Sequence, residues 1–380
     1  MSELHTTPLD TLLAAANAIQ AGRGADGRAL LAAPLGDLGP RGRLDALLRA
    51  ALLARIDGDA EGRGNLYAGD DRDQDRMIAA FALLAERTPM IRFGYAAANL
   101  AILRAAAGAE ALHVVDIGVG AGVQWLDLID RVAALASRPR VRITGVDVPD
   151  AAGEVARALR ELGERLTAHA EARGVDLRFV GLARPIEAME ATEAFDRRPG
   201  EVLAINASLA LHHVAADEDD GERGEHGDGA SPRARVLRRL AELRPDLLTL
   251  IEPEADHNHR DLRRRLAGAR EHYGLVFAIL DEVLADDPAI RGALERGFFG
   301  REVANILGAD GAARVERHEP LARWQRRLRG AGFTPVAAEP ERVAAELTGG
   351  AFGLARRGDA VQLTWRERPV LSFSAWKGAR

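Results

Sequence analysis

From about Pro8 to Gly108 the apolar positions recur every three or four residues, as in Leu44, Leu47, Leu48 and Leu52 and again in Met77, Phe81 and Leu84. That is the period of a helix burying one face, so this stretch is predicted to be all-helical. Gly24, Gly27 and the stretches 34–42 and 58–73, dense in Gly, Pro and Asp, separate the helices as loops. At Leu112 the pattern changes. The apolar run Leu112-His113-Val114-Val115-Asp116-Ile117 ends in glycines and is followed by an amphipathic segment from Val123 to Leu135, which reads as a strand feeding a helix. Val141–Val146 repeats the theme, then comes a helix over about 151–173, then strands at Leu177–Val180, Glu201–Ile205 and Leu247–Ile251. Strands alternating with helices predict an α/β fold with a mostly parallel sheet.

Helical spacing returns from Asp261 to about Leu307, too long for a simple crossover, and this block is expected to join the N-terminal helices in a cap. A helix near 321–331 and three strand-like pieces at Phe352–Leu354, Val361–Trp365 and Val370–Ser374 close the chain, the last three as antiparallel hairpin material. The expected division is 1–108 helical cap, 109–261 first part of the core, 262–318 insertion joining the cap, and 319–380 the rest of the core. Between 215 and 232 almost no apolar residue occurs, which predicts a mobile loop.

Composition narrows the chemistry. The 380 residues, 47% apolar and 28% charged, are ample for a globular core, and a formal charge of −6 offers no global field for nucleic-acid phosphates or an anionic membrane. Nucleic acid is therefore not expected as a partner. Cysteine is absent, which removes disulfides, thiolate nucleophiles and Cys-ligated metals. Apart from Lys377 the basic residues are all arginine, which removes most lysine-based mechanisms. The start of the chain lacks a secretory pattern, and no run of about eighteen apolar residues occurs. A cytoplasmic protein without a membrane partner is expected.

The sharpest local signal is Asp116-Ile117-Gly118-Val119-Gly120-Ala121-Gly122, placed where the first strand meets its helix. Glycines there let a ligand approach the backbone at a helix N-terminus. Position 123 is valine, so the dinucleotide spacing G-x-G-x-x-G is not met. The form D-x-G-x-G-x-G suits S-adenosylmethionine instead, with Asp147 at the end of the second strand to accept the ribose hydroxyls and Asp116 near the positive methionine group. The bland alternative is a tight turn with nothing bound.

Leu112-His113-Val114-Val115-Asp116, Gln124-Trp125 and Arg142-Ile143-Thr144-Gly145-Val146-Asp147 together resemble the VHIID region of the GRAS family. The resemblance extends through Phe93–Ile102, Leu211-His212-His213, Ile251-Glu252-Pro253-Glu254-Ala255-Asp256-His257-Asn258, Gly300–Ile306, Arg314–Glu319 and Ser374-Ala375-Trp376, about residues 89–376 in all. It implies a Rossmann-like S-adenosylmethionine methyltransferase core, a mostly parallel seven-stranded sheet with C-terminal antiparallel strands, under an α-helical cap. It also implies two histories: plant members regulate transcription through protein partners, and bacterial members look like enzymes. Plant sequences usually replace the glycine loop with a bulkier run, whereas all three glycines stand here, which favours a bacterial-type methyltransferase.

On that reading the cofactor S-adenosyl-L-methionine is held by Asp116, Gly118, Gly120, Gly122, Gln124, Asp147 and Asn206. Methyl transfer gains most from holding nucleophile and methyl in line, with a base as a second contribution. The segments after the fourth and fifth strands supply His212, His213, Glu252 and Glu254 as candidate bases. The same donors could instead ligate zinc or iron, or His212 and His213 could be structural. Arg92, Phe93, Tyr95 and Asn99, with His257, Asn258, Arg301 and Asn305, are the candidate contacts to a small, apolar substrate between cap and core. An Arg301–Glu302 pair extended by Asn305 would be the structural reading. A homodimer is compatible with the sequence. The alternative to an enzyme is a non-catalytic protein acting through protein partners or a bound small ligand.

Overall fold

The computed structural model describes residues 7–33, 39–58, 84–149, 153–189, 197–217, 231–339 and 350–378. The expected helical positions Met77 and Phe81, most of the 58–73 loop, and most of the polar 215–232 segment lie outside the described residues. Contacts divide the chain into two compact units, one of Met1–Thr88, Ala215–Arg223 and Glu254–Pro320, the other of Pro89–Val214, Gly224–Pro253 and Leu321–Arg380.

The helical unit begins with α1 (Pro8–Gln20), α2 (Gly24–Leu31) and α3 (Pro40–Asp57). Thr7 caps α1 by accepting from the Asp10 amide while the Asp10 carboxylate takes the Thr7 amide, a reciprocal box that satisfies two otherwise orphaned donors. In the second unit, α4 (Pro89–Ala105), α5 (Val123–Ala133), α6 (Glu154–Arg173) and α7 (Pro232–Glu242) accompany the sheet. The helical unit resumes with α8 (Leu262–Val283), α9 (Pro288–Ala293), a π-helical segment (Leu294–Phe299) and α10 (Gly300–Gly308). α3 packs on α8 and α10. Arg43 on α3 bridges Asp281 and Glu295 at 2.7 and 2.9 Å, and Asp45 accepts from Arg270 at 2.7 Å.

The sheet is mixed and has nine strands: β1 (Ala111–Ile117), β2 (Arg140–Asp147), β3 (Leu177–Ala183), β4 (Glu201–Ser208), β5 (Leu247–Pro253), β6 (Thr334–Val336), β7 (Phe352–Arg357), β8 (Ala360–Trp365) and β9 (Arg368–Lys377). Their order is β3-β2-β1-β4-β5-β9-β8-β7, with β6 paired to β9. β1 to β5 run parallel; β9 is antiparallel to β5, β6 and β8. β1 is central and buried after its first residue, which is why it reads as an apolar run rather than an alternation. The family resemblance implied seven strands, and the apolar runs themselves mark eight; β6 is the ninth. The three-residue β6 shows no periodicity of its own and exists because β9 is long enough to pair beyond β8.

A second difference concerns α4. The sequence places it in the cap, with the boundary near residue 108, but it packs on β4, β5 and β9 and belongs to the sheet-bearing unit. Gly94 lies against β5, where a Cβ would stand 2.9 Å from the Ile251 side chain, and Phe93, Ala97 and Ile102 are buried around the helix; apolar spacing of this kind would serve either partner. The last helix of that unit, α11, spans Leu321–Gly330.

Candidate functional site

The loop after β1 is built from residues that can take left-handed backbone. Gly118, Gly120 and Gly122 have φ of 78°, 49° and 64°. A Cβ on Gly118 would lie 2.7 Å from the Ala210 Cβ, and one on Gly122 2.5 Å from Leu162, whereas nothing lies within 4 Å of the space above Gly120. Gly118 and Gly120 are exposed, and exposed Val123 and Val148 stand at the starts of the segments that follow the loop and β2.

Four of the loop amides are already engaged. Those of Gly118 and Val119 donate to the Val146 carbonyl, that of Gly122 to Val119, and that of Gly120 to the Asp147 carboxylate at 3.3 Å. Asp147 also accepts from the Val148 amide at 2.9 Å. Burial raises the Asp147 pKa, and those two amides pull it back.

Asp116 points inward. Its two oxygens accept from Asn206 Nδ2 at 2.7 Å and from Trp125 Nε1 at 2.8 Å. Burial pushes its pKa up to about 7 against the pull of those donors. Asn206 Oδ1 accepts from Thr249 at 2.8 Å, and Gln124 Nε2 donates to Asn99 Oδ1 at 3.1 Å and reaches Asn206 Oδ1 at 3.5 Å. Asn99 in turn donates to the Gln124 carbonyl and, at 2.8 Å, to Asp127. Asp116, Gln124, Asn206 and Asn99 are thus one buried network joining β1, β4, α4 and α5. Burial, then the Asp116 charge, drives the Tyr95 phenol up to about 12, so it stays protonated. Phe93 is fully buried and Arg92 is exposed.

His212 and Glu252 also meet. His212 Nδ1 lies 2.6 Å from Glu252 Oε2, the His212 amide donates to Glu252 Oε1 at 3.2 Å, and both residues are buried. The completely buried Arg233 donates to the His212 carbonyl at 2.8 Å and to the Val214 carbonyl, and its guanidinium lies over the Trp324 ring. His213, half-buried, has its ring 4.1 Å from that of His212 and lies within electrostatic reach of Asp147.

The remaining candidates lie in the helical unit. Glu254 opens its third segment. His257 is fully buried, its Nδ1 3.0 Å from His318 Nδ1 and its ring stacked on Tyr273. Asn258 donates to Glu319 at 2.7 Å and to the Asp217 carbonyl at 2.9 Å. Asn305 accepts from the amides of Val315 and Glu316 and donates to the Ala313 carbonyl, so it fixes the chain after α10 rather than extending an Arg301 pair. Glu302 accepts from the Tyr273 hydroxyl at 2.6 Å, and Arg301 is half-buried. Sequence reasoning gave no polar role to Trp125, Arg233 or Thr249. Only the fold brings Trp125 Nε1 to Asp116, so no periodicity marks it.

The buried histidines make a prediction. Burial pushes His257 down to about 3 and His272 down to about 4. The unfolded chain binds a proton on each ring below about pH 6.5, and the folded chain does not until far lower, so stability falls as pH drops from about 6.5 toward 4. Each ring adds about 1.4 kcal/mol per pH unit, and Asp116, with its raised pKa, opposes one of them over about pH 4–7. Urea midpoints measured across this range should decline with acidity, and less steeply in His272→Gln. An unchanged slope in that variant would show that His272 is not held neutral by the fold.

The family model for the GRAS domain family matches residues 9–377. Scarecrow-like protein 5 of Arabidopsis thaliana is 32% identical over 345 residues, covering 89% of this chain and 56% of that protein. Chitin-inducible gibberellin-responsive protein 2 of Oryza sativa subsp. japonica is 31% identical, with 89% and 61% covered. Scarecrow-like transcription factor PAT1 of Arabidopsis thaliana is 31% identical, with 89% and 69% covered. The crystal structure of SCL7 from Oryza sativa is 28% identical, with TM-score 0.77 over 97% of this chain and 99% of that one. The chain thus spans little more than half the length of several curated relatives. These plant relatives, one named as a transcription factor, overturn the expected bacterial-type methyltransferase acting on a small apolar substrate. The accompanying partner assignments, including the dismissal of nucleic acid on net charge, fall with it: a global charge says nothing of a local surface.

Proposed function

Because this chain belongs to the GRAS domain family, we propose that it is a non-catalytic regulatory protein that acts through protein partners. The observation that carries this reading is the inward pairing of the groups expected to do chemistry. His212 is closed on Glu252, and Asp116 on Asn206 and Trp125, so these side chains hold strand ends together. The name of PAT1 supports transcriptional control as the setting. We read the parallel half of the sheet, ordered β3-β2-β1-β4-β5, as a Rossmann-like methyltransferase core kept as a scaffold.

S-Adenosyl-L-methionine enters this reading as a ligand. The open space above Gly120 and the half-buried Asp147 carboxylate beside it suit an adenosyl group, and Gly118, Gly120, Gly122 and Asp147 are the residues that would hold it. With the Gly118, Val119, Gly120 and Gly122 amides engaged, the Asp147 carboxylate, the carbon surface of the loop and the backbone at the start of α5 are the contacts it would use. Calorimetry with S-adenosylhomocysteine should give saturable heat that Gly120→Arg abolishes. Labelled S-adenosylmethionine should leave no methyl group on extracts of the source cells beyond that seen with the variant. Methyl transfer above that level would overturn the non-catalytic reading, and absence of heat would remove the ligand while leaving the partner-based reading in place.

A further inference from the structure

A cavity opens at the end of the parallel strands opposite the glycine loop. It has a volume of about 300 Å³ and lies between the C-terminal half of α4, the start of β5, the exit of β6 and the end of β9. The glycine loop follows the carboxyl end of β1; this cavity adjoins Asp246 and Leu247, at the amino end of β5, parallel to it through β4. The space exists because small residues line it: Ala97, Ala101 and Ala105 along one face of α4 oppose Ala375 on β9, and buried Val361 and Phe373 supply an apolar floor. Its volume is at the small end of the range for ligand pockets.

Among the described residues the charges at its edge are not balanced. Arg104 is paired with Glu339. Asp246 is neutralised by Arg197, which donates to it at 2.7 Å and is not part of the lining, and it also accepts from the Leu203 amide. Lys377, the one lysine in the chain, is exposed at the end of β9, and among the described residues its ammonium has no partner. An apolar floor beneath one uncompensated cation selects an amphipathic anion, since a cation would be repelled and an alcohol would gain nothing at the rim.

We propose that this cavity is a binding site for a small carboxylate with an apolar body, chain against Phe373 and Val361 and carboxylate at Lys377. It is a ligand site, independent of the glycine loop. A ligand there would bridge α4 to β9 and so favour the arrangement in which they pack together.

The test is calorimetric titration of the full chain with butanoate, hexanoate and octanoate, and with octylamine and octanol. Binding should be saturable for the acids and tighten by about fourfold per added methylene until the cavity is filled. Octylamine should bind at least roughly tenfold more weakly than octanoate. Lys377→Gln, at an exposed position, should weaken octanoate roughly fivefold and leave octanol unchanged. Ala101→Leu should fill the cavity and weaken both, with its melting temperature checked for folding. Gly120→Arg should leave octanoate binding intact, which separates this site from the adenosyl one. Equal affinity for octanoate and octylamine, no saturable heat at millimolar acid, or octanoate binding untouched by Lys377→Gln would each overturn the proposal.

Discussion

Gly118→Ala is expected to destabilise the protein by about 2–5 kcal/mol, read as a lower urea midpoint at unchanged slope. A non-glycine residue in left-handed backbone costs roughly 1–2 kcal/mol, and overpacking a filled site another ~1–3. The Gly118 φ is 78°, and the new methyl would meet the Ala210 Cβ at 2.7 Å, an atom that cannot swing away because it is fixed to its own backbone. Gly120→Ala is the control. Its φ of 49° is also left-handed, but nothing lies within 4 Å, so only the conformational cost of about 1 kcal/mol remains. Equal losses for the two variants would show that contact with Ala210 is not what requires glycine at 118.

Glu252→Ala is expected to cost about 3–5 kcal/mol, because it strips the acceptor from both the ring and the amide of a buried histidine. Glu252→Gln should lose less, since its amide oxygen still accepts one of those hydrogen bonds. Combining Glu252→Ala with His212→Ala should cost clearly less than the two single losses together, as partners in one contact do not add. Denaturant unfolding of the three variants measures the coupling. Additive losses would mean that the 2.6 Å contact is not an energetic unit, and the scaffold role argued for these residues would fail with it.

The elements that local pattern controls were legible. The run ending at Asp116-Ile117 is β1, and the amphipathic stretch after Gly122 is α5, burying Trp125, Leu128, Ile129 and Val132 at helical spacing. β6 was not legible, because three residues carry no period. α4 was seen as a helix but assigned to the wrong neighbours, because an apolar stripe says that a face is buried and not what buries it. The candidate site shows the same limit. Asp116, Gln124, Asn206 and Asn99 were singled out as contacts to something bound, and what the sequence did not show is that they also contact one another.

What the amino-acid sequence determined by itself was most of the succession of helices and strands, though neither β6 nor α2, whose Gly24 and Gly27 read as loop residues, together with the left-handed turn that three glycines allow after β1 and the exclusion of thiol chemistry. Each depends on residues close in the chain or on a residue type being absent. The tertiary structure decided which polar groups are satisfied internally, because partners such as Asp116 and Asn206, 90 residues apart, meet only through the parallel register of β1 with β4. It also decided where an unbalanced charge stands over apolar space, because that requires α4 and the end of β9 to lie side by side with only small residues between them.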